Sequence, residues 1–194
     1  VKTVFFDLGN VLIFFSHEKM FAQLVECTGL SLLDLQPFLQ HYETGFFSTE
    51  QLYHKLQSMS PHSFSLLELM QAGSNIFTPN TALWPTVEEL KKQGTKLVLI
   101  SNTNECHFNY VSSHYPILRL FDSLILSYKI GICKPDPRIF QRALAESKGQ
   151  NFYTDDIPTF IEAGREAGLD AEVYTDPLTL RRHLRERGFL GTTC

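Results

Sequence analysis

The chain has 194 residues, 43% of them hydrophobic and 20% charged, a balance that suits one folded domain with or without a modest insertion and excludes a disordered polymer. Its formal charge of -4 lacks the basicity of a nucleic-acid binder, and no apolar stretch approaches the ~20 residues that cross a bilayer. The four cysteines, Cys27, Cys106, Cys133 and Cys194, are widely spread without a CxxC and fit free thiols in a reducing cytoplasm.

Thr3 to Leu8 is a dense apolar run rich in Val and Phe, the pattern of a buried strand. The longer stretch from Val4 to Ile13 is interrupted by Asp7 and Asn10 and lacks a small-residue cleavage site after it, so it is not expected to be a signal peptide. From about Ser16 to Thr78 no strand-like run occurs. Phe21, Leu24 and Val25, then Leu32, Leu35 and Leu39, then Leu52, Tyr53 and Leu56 recur at helical spacing. Ser31 with Asp34 and Ser48 with Gln51 stand three apart at helix starts, as capping boxes do. Beyond this helical stretch, a helix is predicted over Pro85–Gln93, with Pro in its first turn and Gly94 after its end. Further strands are expected at Lys96–Ser101 and Ser123–Ser127, with weaker ones at Asn151–Thr154 and Ala171–Thr175. Helices starting near Pro137 and Pro158 fall between them. Strands alternating with single helices imply βαβ units. The fold class is therefore α/β, a Rossmann-like parallel sheet core with a small all-helical cap inserted after the first strand. The core spans residues 1–15 and 79–194, and the cap spans residues 16–78. The basic run from Arg181 to Arg187 reads as the solvated face of a last helix.

Open parallel sheets bind ligands at the carboxyl ends of their strands. Those ends carry Asp7, then Ser101 and Asn102, then Lys134 after the third strand, then Asp155 and Asp156. Such a set suits phosphoryl transfer. A carboxylate can attack phosphorus, hydroxyl and amide groups can hold equatorial oxygens, a lysine offsets the charge, and paired carboxylates bind Mg²⁺.

The series Phe5-Phe6-Asp7-Leu8-Gly9-Asn10, Leu97-Val98-Leu99-Ile100-Ser101-Asn102, Lys134-Pro135-Asp136 and Phe152-Tyr153-Thr154-Asp155-Asp156 resembles the four ordered motifs of the haloacid dehalogenase-like hydrolase superfamily. In particular it is similar to the sugar-phosphate and epoxide-hydrolase-linked phosphatase branch with a small helical cap. The resemblance implies Asp7 as nucleophile and Mg²⁺ ligand, with the Gly9 carbonyl also on the metal. It implies Ser101 and Asn102 as phosphate-binding residues and Lys134 as the neutralising charge. Asp155 and Asp156 complete the metal site. The activity implied is hydrolysis of a small phosphorylated metabolite, for instance a sugar phosphate, through an aspartyl-phosphate on Asp7, with neither nucleic acid nor membrane as partner. The oligomeric state is left open.

One departure is Gly9, which stands where phosphatases of that family usually carry an acid-base aspartate, a group worth ~10²–10⁴ in rate. Two other readings follow from it. One is a metal-independent dehalogenase, in which Asp155 and Asp156 would repel both Asp7 and a carboxylate substrate. The other is a non-catalytic binding protein on the same fold. Substrate choice is expected in the insert, through Phe14 to His17 and the turn Glu43-Thr44-Gly45-Phe46-Phe47. Cys106 and His107 lack an acidic third member and read as structural.

Overall fold

A strand buried on both faces needs a near-continuous apolar run, because successive side chains point opposite ways. Val4-Phe5-Phe6 meets that need. In the computed structural model, which describes residues 1–191, it lies in β1 (Lys2–Phe6). A tight turn leads to β2 (Ile13–Phe15), followed by four helices: α1 (His17–Thr28), α2 (Leu32–Glu43), α3 (Thr49–Met59) and α4 (Leu66–Ser74). Then come β3 (Phe77–Pro79), α5 (Trp84–Lys92), β4 (Lys96–Ser101), α6 (Glu105–His114) and, after a 3₁₀ turn, β5 (Ser123–Leu126). The chain continues through α7 (Ser127–Ile130), α8 (Pro137–Glu146), β6 (Gln150–Asp155), α9 (Pro158–Glu166), β7 (Ala171–Val173) and α10 (Pro177–Glu186).

The main sheet has the order β5-β4-β1-β6-β7, with every pair parallel. Alternate side chains of β1 feed two separate cores. Val4 and Phe6 pack with Val87 and Leu90 of α5 and Leu184 of α10, while Phe5 joins Phe140 of α8 and Ile161 of α9. Helices thus cover both faces, as a parallel sheet requires.

The four helices after β2 bury their own apolar cluster, which includes Met20, Leu24, Leu35, Leu52, Leu56 and Leu69. Ser31, Ser48 and Ser65 each form a reciprocal capping box with the residue three positions on, which satisfies otherwise orphaned N–H groups. The expectation that the stretch to Thr78 is free of strands needs one correction. Phe77 and Thr78 belong to β3, which pairs antiparallel with β2, Phe15 opposite Phe77. This two-stranded ribbon is the connection through which the chain leaves and re-enters the core.

The basic residues near the C-terminus lie on and just after α10, where they make ion pairs. Arg181 reaches Glu89 of α5 at 2.7 Å, and Arg187 reaches Asp170 at 2.6 Å and Glu172 at 2.8 Å. Cys27, Cys106 and Cys133 are free thiols, and Cys194 lies outside the described residues. Among the described residues, no helix is long and apolar enough to cross a membrane.

Candidate active site

The strand register brings the expected residues to one rim. Asp7 directly follows β1, and its N–H donates to the Thr154 carbonyl at 3.0 Å, which extends the β1–β6 ladder by one rung and fixes where its carboxylate emerges. The turn after it is tight. Leu12 and Ile13 both donate to the Leu8 carbonyl, and Asn10 takes the left-handed conformation at φ 53°, which asparagine tolerates better than most residues. Its side-chain amide donates to Asp156 Oδ2 at 3.1 Å, so the first motif is tied to the last.

Lys134 is the hub. Its Nζ is buried and donates to Asp7 Oδ1 at 2.7 Å, to Asp155 Oδ2 at 2.5 Å and to the Ile100 carbonyl at 3.1 Å. Three acceptors exhaust the three protons of an ammonium group. Burial alone would lower the lysine pKa, but Asp7 and Asp155 outweigh it and hold the group protonated. Asp155 is equally committed. Its Oδ2 also accepts from the Tyr153 hydroxyl, and its Oδ1 accepts from the Ile157 N–H at 2.9 Å. Nothing in the sequence marks Tyr153, since a tyrosine in mid-strand looks like core.

Asn102 behaves differently from the expectation that its amide donates to phosphate. Its side chain pairs with the main chain of Lys134, Nδ2 donating to the Lys134 carbonyl at 2.9 Å and Oδ1 accepting from the Lys134 N–H at 2.7 Å. A primary amide matches a peptide group in this way, so Asn102 fixes the loop that carries the lysine. Ser101 is buried, and its hydroxyl makes only a long 3.4 Å contact to the next carbonyl.

A cavity of about 50 Å³ opens beside this hub, lined among others by Gly9, Phe15, His17, Glu43, Ser101 and Asn102. Phe15 crowds Gly9: a Cβ there would stand 2.6 Å from the edge of the ring. Glu43, which the sequence places in a turn, is the last residue of α2. That helix ends with the Gly45 N–H on the Tyr42 carbonyl and the Phe46 N–H on the His41 carbonyl, a Schellman closure in which Gly45 adopts φ 73°. In the turn that follows, Phe47 packs on Phe38, while Phe46 is 69% exposed. His107 also lines the cavity, with both ring nitrogens engaged, Nδ1 with the Asn104 amide at 3.0 Å and Nε2 with the Gly73 carbonyl at 2.9 Å. Burial pulls its pKa down to about 4, which keeps the ring neutral and agrees with the structural reading. Cys106 is buried against the helical cluster.

Asp7, Asp155 and Asp156 each offer a carboxylate oxygen, all within 4.8 Å of one another. When all three are ionised, three carboxylates against the single ammonium of Lys134 leave two negative charges without a counter-charge, in a site where Asp7 and Asp155 are buried. Burial pushes the Asp7 carboxyl up to about 7, Lys134 draws it back and Asp155 adds to the rise; burial also raises Asp156. Hard oxygen donors with an excess charge of two fit a divalent cation such as Mg²⁺.

A family model described as haloacid dehalogenase-like hydrolase matches residues 1–168. D-ribitol-5-phosphate phosphatase of Bacteroides thetaiotaomicron is 25% identical over 88% of this chain and 90% of its own length. A sesquiterpene phosphatase of Aspergillus oryzae is 24% identical over 95% of each chain. A HAD family enzyme of Bacteroides thetaiotaomicron, solved in complex with magnesium and inorganic phosphate, shares the fold with a TM-score of 0.81 and 20% identity, over 90% of this chain and 94% of that one.

Proposed function

The chain belongs to the haloacid dehalogenase-like hydrolase family, and from that premise we propose that it is a Mg²⁺-dependent phosphatase acting on a small phosphorylated metabolite of the sugar-phosphate kind. The observation that carries this reading is the buried Asp7–Lys134–Asp155 hub with Asp156 within reach of the same point. Two relatives of near full-length match bear phosphatase names, which supports phosphorus as the atom attacked.

In this reading the Asp7 carboxylate forms a bond to phosphorus while the bond to the leaving oxygen breaks, giving an aspartyl-phosphate that water then hydrolyses. Lys134 holds Asp7 in place and offsets charge that grows on the transferring group. The Ser101 hydroxyl and the main-chain N–H of Asn102 donate to the phosphate oxygens, while the Asn102 side chain keeps Lys134 in register. Asp7, Asp156 and the carbonyl of Gly9 would hold Mg²⁺, with Asp155 set behind them by Lys134, Tyr153 and Ile157. When bound, the ion supplies neutralisation of the phosphate and of the nucleophile. A dehalogenase has no use for the two further carboxylates, Asp155 and Asp156, beside Asp7, which would repel a carboxylate substrate. Free thiols at Cys27, Cys106 and Cys133 fit a reducing cytoplasm.

The test is hydrolysis of 4-nitrophenyl phosphate by wild type and Asp7→Asn, with Mg²⁺ and with EDTA. Turnover that needs both Asp7 and Mg²⁺ supports the proposal. Halide release from a haloacid without metal would replace it with the dehalogenase, and inactivity on both substrates would leave a binding protein.

A further inference from the structure

Breaking a phosphorus–oxygen bond to an alcohol leaves an alkoxide, which needs a proton as it departs. Gly9 offers none, and Phe15 fills the space beside it. Lys134 has all three protons committed. Three other titratable side chains line the cavity: His17, Glu43 and His107. His107 spends one nitrogen on Asn104 and the other on the Gly73 carbonyl. His17 packs on Phe15 and Phe21, and partial burial lowers its pKa, which disfavours the protonated ring that a general acid needs. Glu43 is the remaining group, and among the described residues its carboxyl has no hydrogen-bond partner.

The backbone around Glu43 is held against the catalytic rim. The Ser127 hydroxyl lies 2.7 Å from the Glu43 carbonyl and 2.8 Å from the Thr103 carbonyl, and it accepts from the Thr103 N–H at 2.9 Å. Thr103 is two residues beyond Ser101, so one hydroxyl joins the end of α2 to the end of β4. Two residues on, Gly45 meets the Tyr128 main chain so closely that a Cβ would stand 2.0 Å from the Tyr128 carbonyl oxygen. These contacts fix where Glu43 enters the cavity.

We propose that Glu43 is the general acid of this active site, protonating the leaving-group oxygen as its bond to phosphorus breaks. The proposal rests on the phosphatase reading. As an Asp7 oxygen bonds to phosphorus, the electron pair of the breaking bond goes to the leaving oxygen, which takes the Glu43 proton and departs as an alcohol. Glu43, now a carboxylate, accepts a proton from the water whose oxygen attacks the aspartyl-phosphate. The bond to Asp7 breaks, phosphate leaves and the acid is restored. Burial raises the Glu43 pKa, the direction that favours a proton donor.

The experiment measures kcat/KM with Mg²⁺ for a series of phosphate monoesters running from nitrophenyl to simple alkyl, in wild type, Glu43→Gln, Glu43→Asp and His17→Ala. This ratio reports steps up to cleavage of the leaving group, so the later role as a base does not enter it. Glu43→Gln is expected to lose ~10²-fold or more on alkyl esters and less than ~10-fold on nitrophenyl phosphate, for which it should also show a stoichiometric burst. Glu43→Asp keeps a carboxyl and should retain the shallow wild-type dependence at a lower rate, so the assignment does not hang on one variant. An equal loss across the series in Glu43→Gln, or a loss selective for alkyl esters in His17→Ala instead, would overturn the assignment to Glu43 while leaving Asp7 and Mg²⁺ dependence intact. A wild type without Asp7- and Mg²⁺-dependent hydrolysis would overturn the phosphatase reading itself, and Glu43 with it.

Discussion

The edge of the Phe15 ring stands 2.6 Å from the point that a Cβ on Gly9 would occupy. A side chain two residues after the nucleophile would therefore have to displace the Phe15 ring, and Gly9 packs with Phe15 as one unit. Gly9→Asp alone should lower activity on nitrophenyl phosphate and cost about 1–3 kcal/mol of stability, as overpacking does. Adding Phe15→Ala should relieve much of that loss, with a coupling of roughly 0.5–3 kcal/mol in a double-mutant cycle read by thermal or urea unfolding. Strict additivity would show that the ring moves aside freely.

Lys134 sits between two carboxylates, and its removal leaves both buried without a counter-charge. Lys134→Ala should destabilise the protein by about 3–5 kcal/mol in EDTA and lower kcat as well as raise KM. Part of the lost stability should return with Mg²⁺. A variant that melts like wild type in EDTA would contradict the hub described above.

The neighbouring aspartates should separate cleanly. Asp155 is fully buried, with Lys134, Tyr153 and Ile157 all donating to it, whereas Asp156 is half-buried and, among the described residues, its side chain is bonded only to Asn10. Asp155→Asn should lower the unfolding temperature markedly. Asp156→Ala should leave that temperature in EDTA nearly unchanged, weaken Mg²⁺ binding in calorimetric titration and nearly abolish turnover. Equal losses of stability from the two changes would refute the division.

His107 has a pH consequence of definite sign. Its pKa is near 4 in the folded protein and 6.5 when free, so between these values the unfolded chain binds the proton first. The contribution to stability is fully present above about pH 6.5 and falls as pH drops towards 4, by about 3 kcal/mol at most. Urea unfolding from pH 7 to pH 4 measures it. His107→Gln should be less stable at pH 7 and should show a shallower decline over that window.

Much of the core could be read from residues because β1 and β4 are buried on both faces and carry unbroken apolar runs, and the edge strand β5 carries a short one that buries Ile125 and Leu126. The ribbon between β2 and β3 could not. Ile13-Phe14-Phe15 follows closely on the first strand, and Phe77-Thr78-Pro79 is a three-residue strand ending in proline, so their pairing depends on where the intervening helices return the chain. Helix α6 escaped notice because Phe108, Tyr110 and Val111 are poor helix formers among polar neighbours. At the site, residue type and strand-end position identified Asp7, Ser101, Lys134, Asp155 and Asp156 as candidates. The task of the Asn102 side chain, and the presence of Glu43 at the cavity, are matters of tertiary contact that spacing along the chain does not encode.

The β2–β3 ribbon joins the two crossings of the chain side by side, with Phe15 opposite Phe77. An insert that departs and returns at one doorway puts no tension on the sheet behind it, whatever its length, since its ends are already closed by the ladder. The helices can therefore be exchanged or reshaped without altering the register of β1 against β4 and β6. Such an arrangement lets most of the insert vary in sequence while the strand register holds, the fixed points being the places where it docks on the sheet, among them the Ser127 hydroxyl that ties the end of α2 to the end of β4.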